Sequence, residues 1–208
     1  MQRRTFIKNS SLLAAGAGIG LPVTALTQQN TSKPKIKKSL KIEMVKGEMP
    51  LMDKFKMLKE LGYDGVEFSS PHNYDHKEIL AARDKTGLQI PGVVNSEHWK
   101  SPLSSPDPAV RDKCFNTIIQ SMNDCKLYGG TTVLVVAGVV NESISYADAY
   151  TRTQAQIRKL IPHAEKTGIK IAIENVWNNF LISPLEAARY VDEINHPLVG
   201  WYFDIGNI

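Results

Sequence analysis

Six short apolar runs alternate with segments of helical period, about 30 residues per unit, and this alternation constrains the chain more than any other feature. The runs are Leu40 to Val45, Gly65 to Phe68, Leu88 to Val94, Thr131 to Ala137, Ile169 to Glu174 and Leu198 to Asp204. Near-continuous hydrophobic runs of this kind are strands buried on both faces, which means a parallel sheet covered by helices. Right-handed crossovers then lead to either a doubly wound open sheet or a barrel. No phosphate-cradling glycine loop follows any of the six runs, which argues against the nucleotide-binding open sheets.

The punctuation between the runs supports the same grammar. Leu51 to Leu61 is an amphipathic helix closed by Gly62, and Lys77 to Thr86 is another closed by Gly87. Asp107-Pro108 opens a helix that runs to about Tyr128, where Gly129-Gly130 stops it. The helix over Tyr146 to Thr167 contains Pro162 and should kink or break there. Ser183-Pro184-Leu185-Glu186 is a capping box with proline in the first turn. Pro91 is awkward inside the third strand, because it cannot donate to a ladder, and implies a local bulge. Six strands with five helices fall two βα units short of an eight-stranded barrel, which typically takes about 250 residues.

Residues 1–25 read as something other than fold. Gln2-Arg3-Arg4-Thr5-Phe6-Ile7-Lys8 precedes the apolar run Leu12 to Leu21, and Val23-Thr24-Ala25 offers a small-residue cleavage site. That is the layout of a secretory signal, with a run too short for a stable membrane span. The adjacent arginines resemble the twin-arginine export signal and point to a periplasmic or otherwise exported protein. Gly16, Gly18 and Gly20 mimic a dinucleotide fingerprint, but no strand precedes them and Leu21 stands where the third glycine belongs. Three basic and no acidic residues lie in 1–25, so without it the net charge falls from +4 to +1. The remainder carries no nucleic-acid-binding signature, and Lys33, Lys35, Lys37 and Lys38 form a basic, solvated linker over 26–39. Cys114 and Cys125 fall in one helix roughly 16 Å apart, too far for a disulfide, and belong to its apolar face.

Two of the runs end on acids, Glu174 and Asp204. A charge at the carboxyl end of a buried strand reaches the rim where α/β folds place their chemistry. Two acids presented there by different strands suit either a shared divalent cation or proton transfer.

Leu61-Gly62-Tyr63-Asp64-Gly65-Val66-Glu67-Phe68, Ile171-Ala172-Ile173-Glu174-Asn175 and Tyr202-Phe203-Asp204-Ile205-Gly206-Asn207 together resemble the xylose isomerase-like superfamily of sugar and sugar-phosphate isomerases and epimerases. The resemblance implies a TIM-type (β/α)8 barrel over residues 40–208, incomplete by its last two βα units. It implies a divalent metal (Mn, Mg, Co or Zn) held by Glu174 and Asp204, with a histidine and a glutamate from two later strands. It further implies that Glu174 doubles as an acid/base, moving a proton through an enediolate of a small carbohydrate. Two positions depart from the family pattern: Asn207 stands where many epimerases have a substrate-contacting histidine, and Phe180 where some have a second glutamate.

Other residues are candidates for substrate contact at the same mouth. His98 and Trp99 follow the third strand, Glu67 ends the second, Trp177 follows Glu174, and Asn207 can still hydrogen-bond a hydroxyl. His72 and His76 have a spacing that can serve zinc, but they straddle a loop without a fixed carboxylate partner and are expected to face solvent. Two rival readings stand beside the epimerase: a metal-dependent hydrolase or lyase on the same barrel, and a non-catalytic or degenerate sugar-binding barrel. In the last, exposed strand edges would favour pairing with a second copy.

Overall fold

The computed structural model describes residues 36–207, so the export-signal region and most of the linker lie outside the described residues. The elements run β1 (Ser39–Lys41), α1 (Leu51–Glu60), β2 (Gly65–Ser70), α2 (His76–Thr86), β3 (Gly92–Asn95), α3 (Pro108–Tyr128), β4 (Thr132–Val135), α4 (Tyr146–Thr167), β5 (Lys170–Glu174), α5 (Pro184–Ile194) and β6 (Val199–Tyr202). All strands are parallel and lie in sequence order, β1 to β6. That order, with a helix after each of the first five strands, is three-quarters of a (β/α)8 wall and excludes the open sheet, whose strand order reverses.

Register divides the side chains cleanly, because residues paired across a parallel ladder share a face. Lys41 pairs with Glu67, Ser69 with Val94, Val94 with Leu134, Leu134 with Ala172, Ala172 with Gly200, and Glu174 with Tyr202. This is the inner face. The alternate positions, including Val66, Phe68, Val93, Val133, Val135, Ile171 and Ile173, are fully buried against the helices and form the main core. Cys114, Ile118, Met122 and Cys125 line the core side of α3, and both cysteines are free.

Several expected boundaries move for identifiable reasons. β1 ends at Lys41 rather than Val45, because Ile42–Met44 turns into a 3-10 helix. There the Glu43 carboxylate, in place of a ladder carbonyl, accepts the Ser69 N–H at 3.1 Å. β3 shortens to Gly92–Asn95, and Pro91 does introduce a bulge: Gly65 bridges Gln89, whereas Phe68 pairs with Val93, one residue further along. α4 passes through Pro162 without breaking. Its continuous buried face, from Ala149 through Ile157 to Ala164, packs both halves, and Arg158 caps α5 by donating to the Ile194 carbonyl at 3.1 Å. β6 pairs only over Val199–Tyr202, leaving Asp204 two residues beyond the ladder. The capping box is formed as expected, with Ser183 Oγ accepting the Glu186 N–H and Glu186 Oε2 accepting the Ser183 N–H.

Linker residues Lys37 and Lys38 are held rather than free. Lys37 donates to Gln89 Oε1 at 3.2 Å, and the Lys38 ammonium lies 5.5 Å from the Tyr63 ring centre. Among the described residues no helix is long and apolar enough to cross a membrane.

Candidate active site

Lys41 and Glu174 at the carboxyl ends of β1 and β5, Glu67 within β2 rather than at its end, and Asp204 just beyond β6 are the charged side chains of the site. Glu174 is the last residue of β5 and is paired with Tyr202. Burial pushes its carboxyl up to about 7, with Asp204 and then Glu67 adding like-charge repulsion and Lys41 partly offsetting it. Glu174, Asp204 and Glu67 therefore lie within reach of one another's fields. Glu67 is raised above the ordinary carboxylate range by burial, against the lowering effects of the Tyr202 hydroxyl and Lys41. The Tyr202 hydroxyl donates to Glu67 Oε1 at 3.1 Å, joining β6 to β2 across the interior. A Cβ at Gly92 would come within 3.2 Å of the Thr132 carbonyl, so glycine suits the close approach of β4 there.

His98 is buried, and its Nδ1 accepts the Val136 N–H at 3.4 Å, which places the ring proton on Nε2. Desolvation, followed by the nearby Lys41 charge, lowers it to about 4, so the ring is neutral near pH 7. Lys41 thus acts on His98, Glu67 and Glu174 together.

Asp204 is held by its backbone. Asn175 Nδ2 donates to the Asp204 carbonyl at 2.7 Å, and Asn175 Oδ1 accepts the Asp204 N–H at 2.8 Å. Asp204 Oδ1 accepts the Gly206 N–H at 2.6 Å. Asn207 donates its side-chain amide to the Asn175 carbonyl at 2.9 Å.

Of the residues singled out from sequence, Glu67, Glu174 and Asp204 converge, and His98 joins them through the field of Lys41. Trp99 packs edge-on against His98 and is half exposed. Trp177 is 84% exposed, and the Asn207 amide is engaged by the backbone of Asn175. Lys41, Asn175 and Tyr202 were not anticipated. A pairing rule signals the first, since a lysine opposite Glu67 in a parallel ladder shares its face. Asn175 and Tyr202 stand inside the motifs but give no sign in sequence of the groups they bind.

His76 is exposed, as expected, while His72 is half-buried, and both bond to Tyr128. Tyr74 N–H donates to His72 Nδ1 at 3.2 Å, so His72 carries its proton on Nε2 and donates to the Tyr128 hydroxyl at 2.7 Å. Tyr128 in turn donates to His76 Nδ1 at 2.6 Å. Nearby, Ser70 Oγ donates to the buried Asp124 Oδ2 at 2.6 Å.

No group of three or more histidine, cysteine, aspartate or glutamate side chains among the described residues is arranged to hold a metal ion. The donor set nevertheless fits one. Glu174 and Asp204 lie close enough for like-charge repulsion, and such a pair of carboxylates suits two ligand positions of a hard divalent cation.

The family profile described as "Xylose isomerase-like TIM barrel" matches residues 55–208. L-ribulose-5-phosphate 3-epimerase UlaE of Escherichia coli K12 is 27% identical over 175 residues, covering 76% of this chain and 59% of the relative. Its counterpart in Salmonella heidelberg SL476 is 28% identical over 170 residues, covering 73% and 57%. The chain therefore spans about three-fifths of the curated relatives it matches. Among solved structures, D-psicose 3-epimerase from Clostridium cellulolyticum H10 superposes with a TM-score of 0.71 at 18% identity, covering 81% of this chain and 63% of that one. 3-Keto-D-glucoside 4-epimerase YcjR from E. coli gives 0.67 at 19%, covering 81% and 68%.

Proposed function

The chain belongs to the xylose isomerase-like TIM-barrel family, and from that membership and its inward acids we propose a divalent-metal-dependent sugar or sugar-phosphate epimerase. The observation that carries the reading is Glu174: an acid at the end of β5, half-buried, with its proton affinity raised to about 7 beside Asp204. A group with a pKa near the working pH is suited to proton transfer with carbon, and inversion pairs it with a second acid that returns a proton to the opposite face of the sugar.

Glu174 and Asp204 would hold the cation as two of its ligands. When bound, such an ion polarises a ketose carbonyl and stabilises the negative charge left on that oxygen when a proton leaves the neighbouring carbon. Ionised Glu174 takes that proton on a carboxylate oxygen. His98, neutral with its proton on Nε2, is a hydrogen-bond donor for a substrate hydroxyl or carbonyl. Tyr202 and Glu67 close the interior below with a fixed hydrogen bond. Trp99 and Trp177 supply apolar surface at the rim for the face of a sugar ring. The arginine pair at Arg3 and Arg4, with the apolar run behind it, supports export to the periplasm as part of the same proposal.

Solvent deuterium incorporation tests the chemistry. With Mn²⁺ present, D-psicose, D-tagatose, L-ribulose and L-ribulose-5-phosphate are incubated in deuterated water and examined by NMR. We expect label beside the carbonyl of at least one sugar and a loss of about 10³-fold with Glu174→Gln, the scale of removing a general base. Exchange persisting at the wild-type rate in the variant removes Glu174 from the reaction.

A further inference from the structure

The β5–β6 ladder ends where Glu174 pairs with Tyr202, yet the acid that matters on β6 lies two residues further on. Beyond a ladder, a loop residue is held only by whatever its backbone groups can find. Both backbone groups of Asp204 find the same side chain. The Asn175 amide accepts the Asp204 N–H at 2.8 Å and donates to the Asp204 carbonyl at 2.7 Å, so it acts as one further peptide unit laid against β6. Asn175 is itself fixed: it directly follows Glu174, it is 6% exposed, and its carbonyl accepts from the Asn207 amide. The acid at the end of β5 and the acid beyond β6 are therefore linked by a three-part brace that uses no charge.

We infer that Asn175 is a positioning residue that sets where the Asp204 carboxylate stands relative to Glu174. This rests on the proposed reading of those two acids as the cation's ligands. Only an amide of this length meets both Asp204 groups, since aspartate lacks the donor and serine lacks the span. The Gly206 N–H occupies Asp204 Oδ1, so the brace orients a carboxylate that already has one oxygen engaged.

The test uses Mn²⁺ binding followed by electron paramagnetic resonance, together with hydrogen exchange at the Asp204 amide measured without metal. Asn178→Ala is the control. Asn178 is equally buried and also ties two loops, donating to the Gly138 carbonyl at 2.6 Å and accepting the Phe180 N–H at 3.1 Å, but it touches neither acid. We expect Asn175→Ala to weaken Mn²⁺ binding tenfold or more and to speed exchange at Asp204, while Asn178→Ala leaves both unchanged. If Asn175→Ala does not fold, Asn175→Ser carries the same expectation. Wild-type affinity in the Asn175 variant, or an equal loss in Asn178→Ala, overturns the inference. If the wild type binds no Mn²⁺, the metal reading fails. The exchange data then decide the positioning claim alone, and an unchanged Asp204 amide in the Asn175 variant defeats it.

Discussion

Two polar clusters lie within the same barrel wall, and they are built on opposite principles. On the inner face, burial raises the proton affinities of Glu67 and Glu174, the charges of Asp204 and Glu67 raise Glu174 further, and Lys41 acts against the rise in both. Around the carboxyl end of β2, a second cluster is closed by hydrogen bonds in two separate groups. Ser70 donates to Asp124, His72 to Tyr128, and Tyr128 to His76. Only Asn95 Oδ1 is left without a partner there. The second cluster holds more of the residue types that bind transition metals, yet its lone pairs and protons are already spent on each other. What makes a site is unbalanced charge facing an open space, rather than the density of ionisable residues. Mutations on the inner face should therefore cost activity, and mutations in the closed cluster should cost stability.

The largest separation is expected from Glu174→Gln, which should lose about 10³-fold in deuterium exchange. Its melting temperature should hold or rise, because the change relieves repulsion between buried acids. A variant that both melts lower and exchanges label normally would break the contrast.

His98 gives the next effect, and it is read through pH. Its folded pKa of about 4 lies below the unfolded value of about 6.5, so the native state binds fewer protons than the unfolded chain between those limits. Stability from the neutral ring is complete above about pH 6.5 and is lost as the pH falls toward 4, to a total of about 3 kcal/mol. Glu174, raised to about 7, titrates with the opposite sign over the same range, so the decline should be read by urea unfolding from pH 7 to 4 in the Glu174→Gln background. In His98→Gln the slope should flatten.

The division between the two clusters was partly legible in sequence. Strand order and the inward ends at Glu174 and Asp204 follow from short-range signals: apolar runs, capping residues and the single acid closing each run. The bulge at Pro91 was legible from the proline itself, whereas the end of β1 depended on the Glu43 carboxylate taking the Ser69 N–H, and nothing local encodes that. The brace at Asn175 was hidden for the same reason, since an asparagine after a strand equally suits a turn. His76 is exposed as expected, but the bond that both histidines make was hidden, because their partner, Tyr128, lies over fifty residues away at the far end of α3. Sequence spacing shows which groups share a face; it does not show which groups are already satisfied.

Asp124→Ala is expected to cost about 2 kcal/mol in urea unfolding, the scale of a buried hydrogen bond to a charged acceptor, with the Ser70 hydroxyl left unpaired. Deuterium exchange into substrate should stay at the wild-type rate, because Asp124 faces the helices rather than the inner face.

The smallest effect should come from Tyr128→Phe. The ring stays buried and keeps its packing against Phe68, so the loss is confined to the hydroxyl that joins two imidazoles. His76 is near solvent and can recover a water, which leaves a cost of about 1 kcal/mol. The more discriminating measurement adds Zn²⁺. A metal at His72 Nε2 would have to displace the proton that the Tyr74 N–H bond keeps there, and then compete with Tyr128 for His76. Zn²⁺ should therefore leave the melting temperature of Glu174→Gln unchanged whether or not His76 is also replaced by alanine. A rise that disappears with His76→Ala would show the closed cluster opening to a cation, and hydrogen-bond satisfaction would no longer separate the two regions.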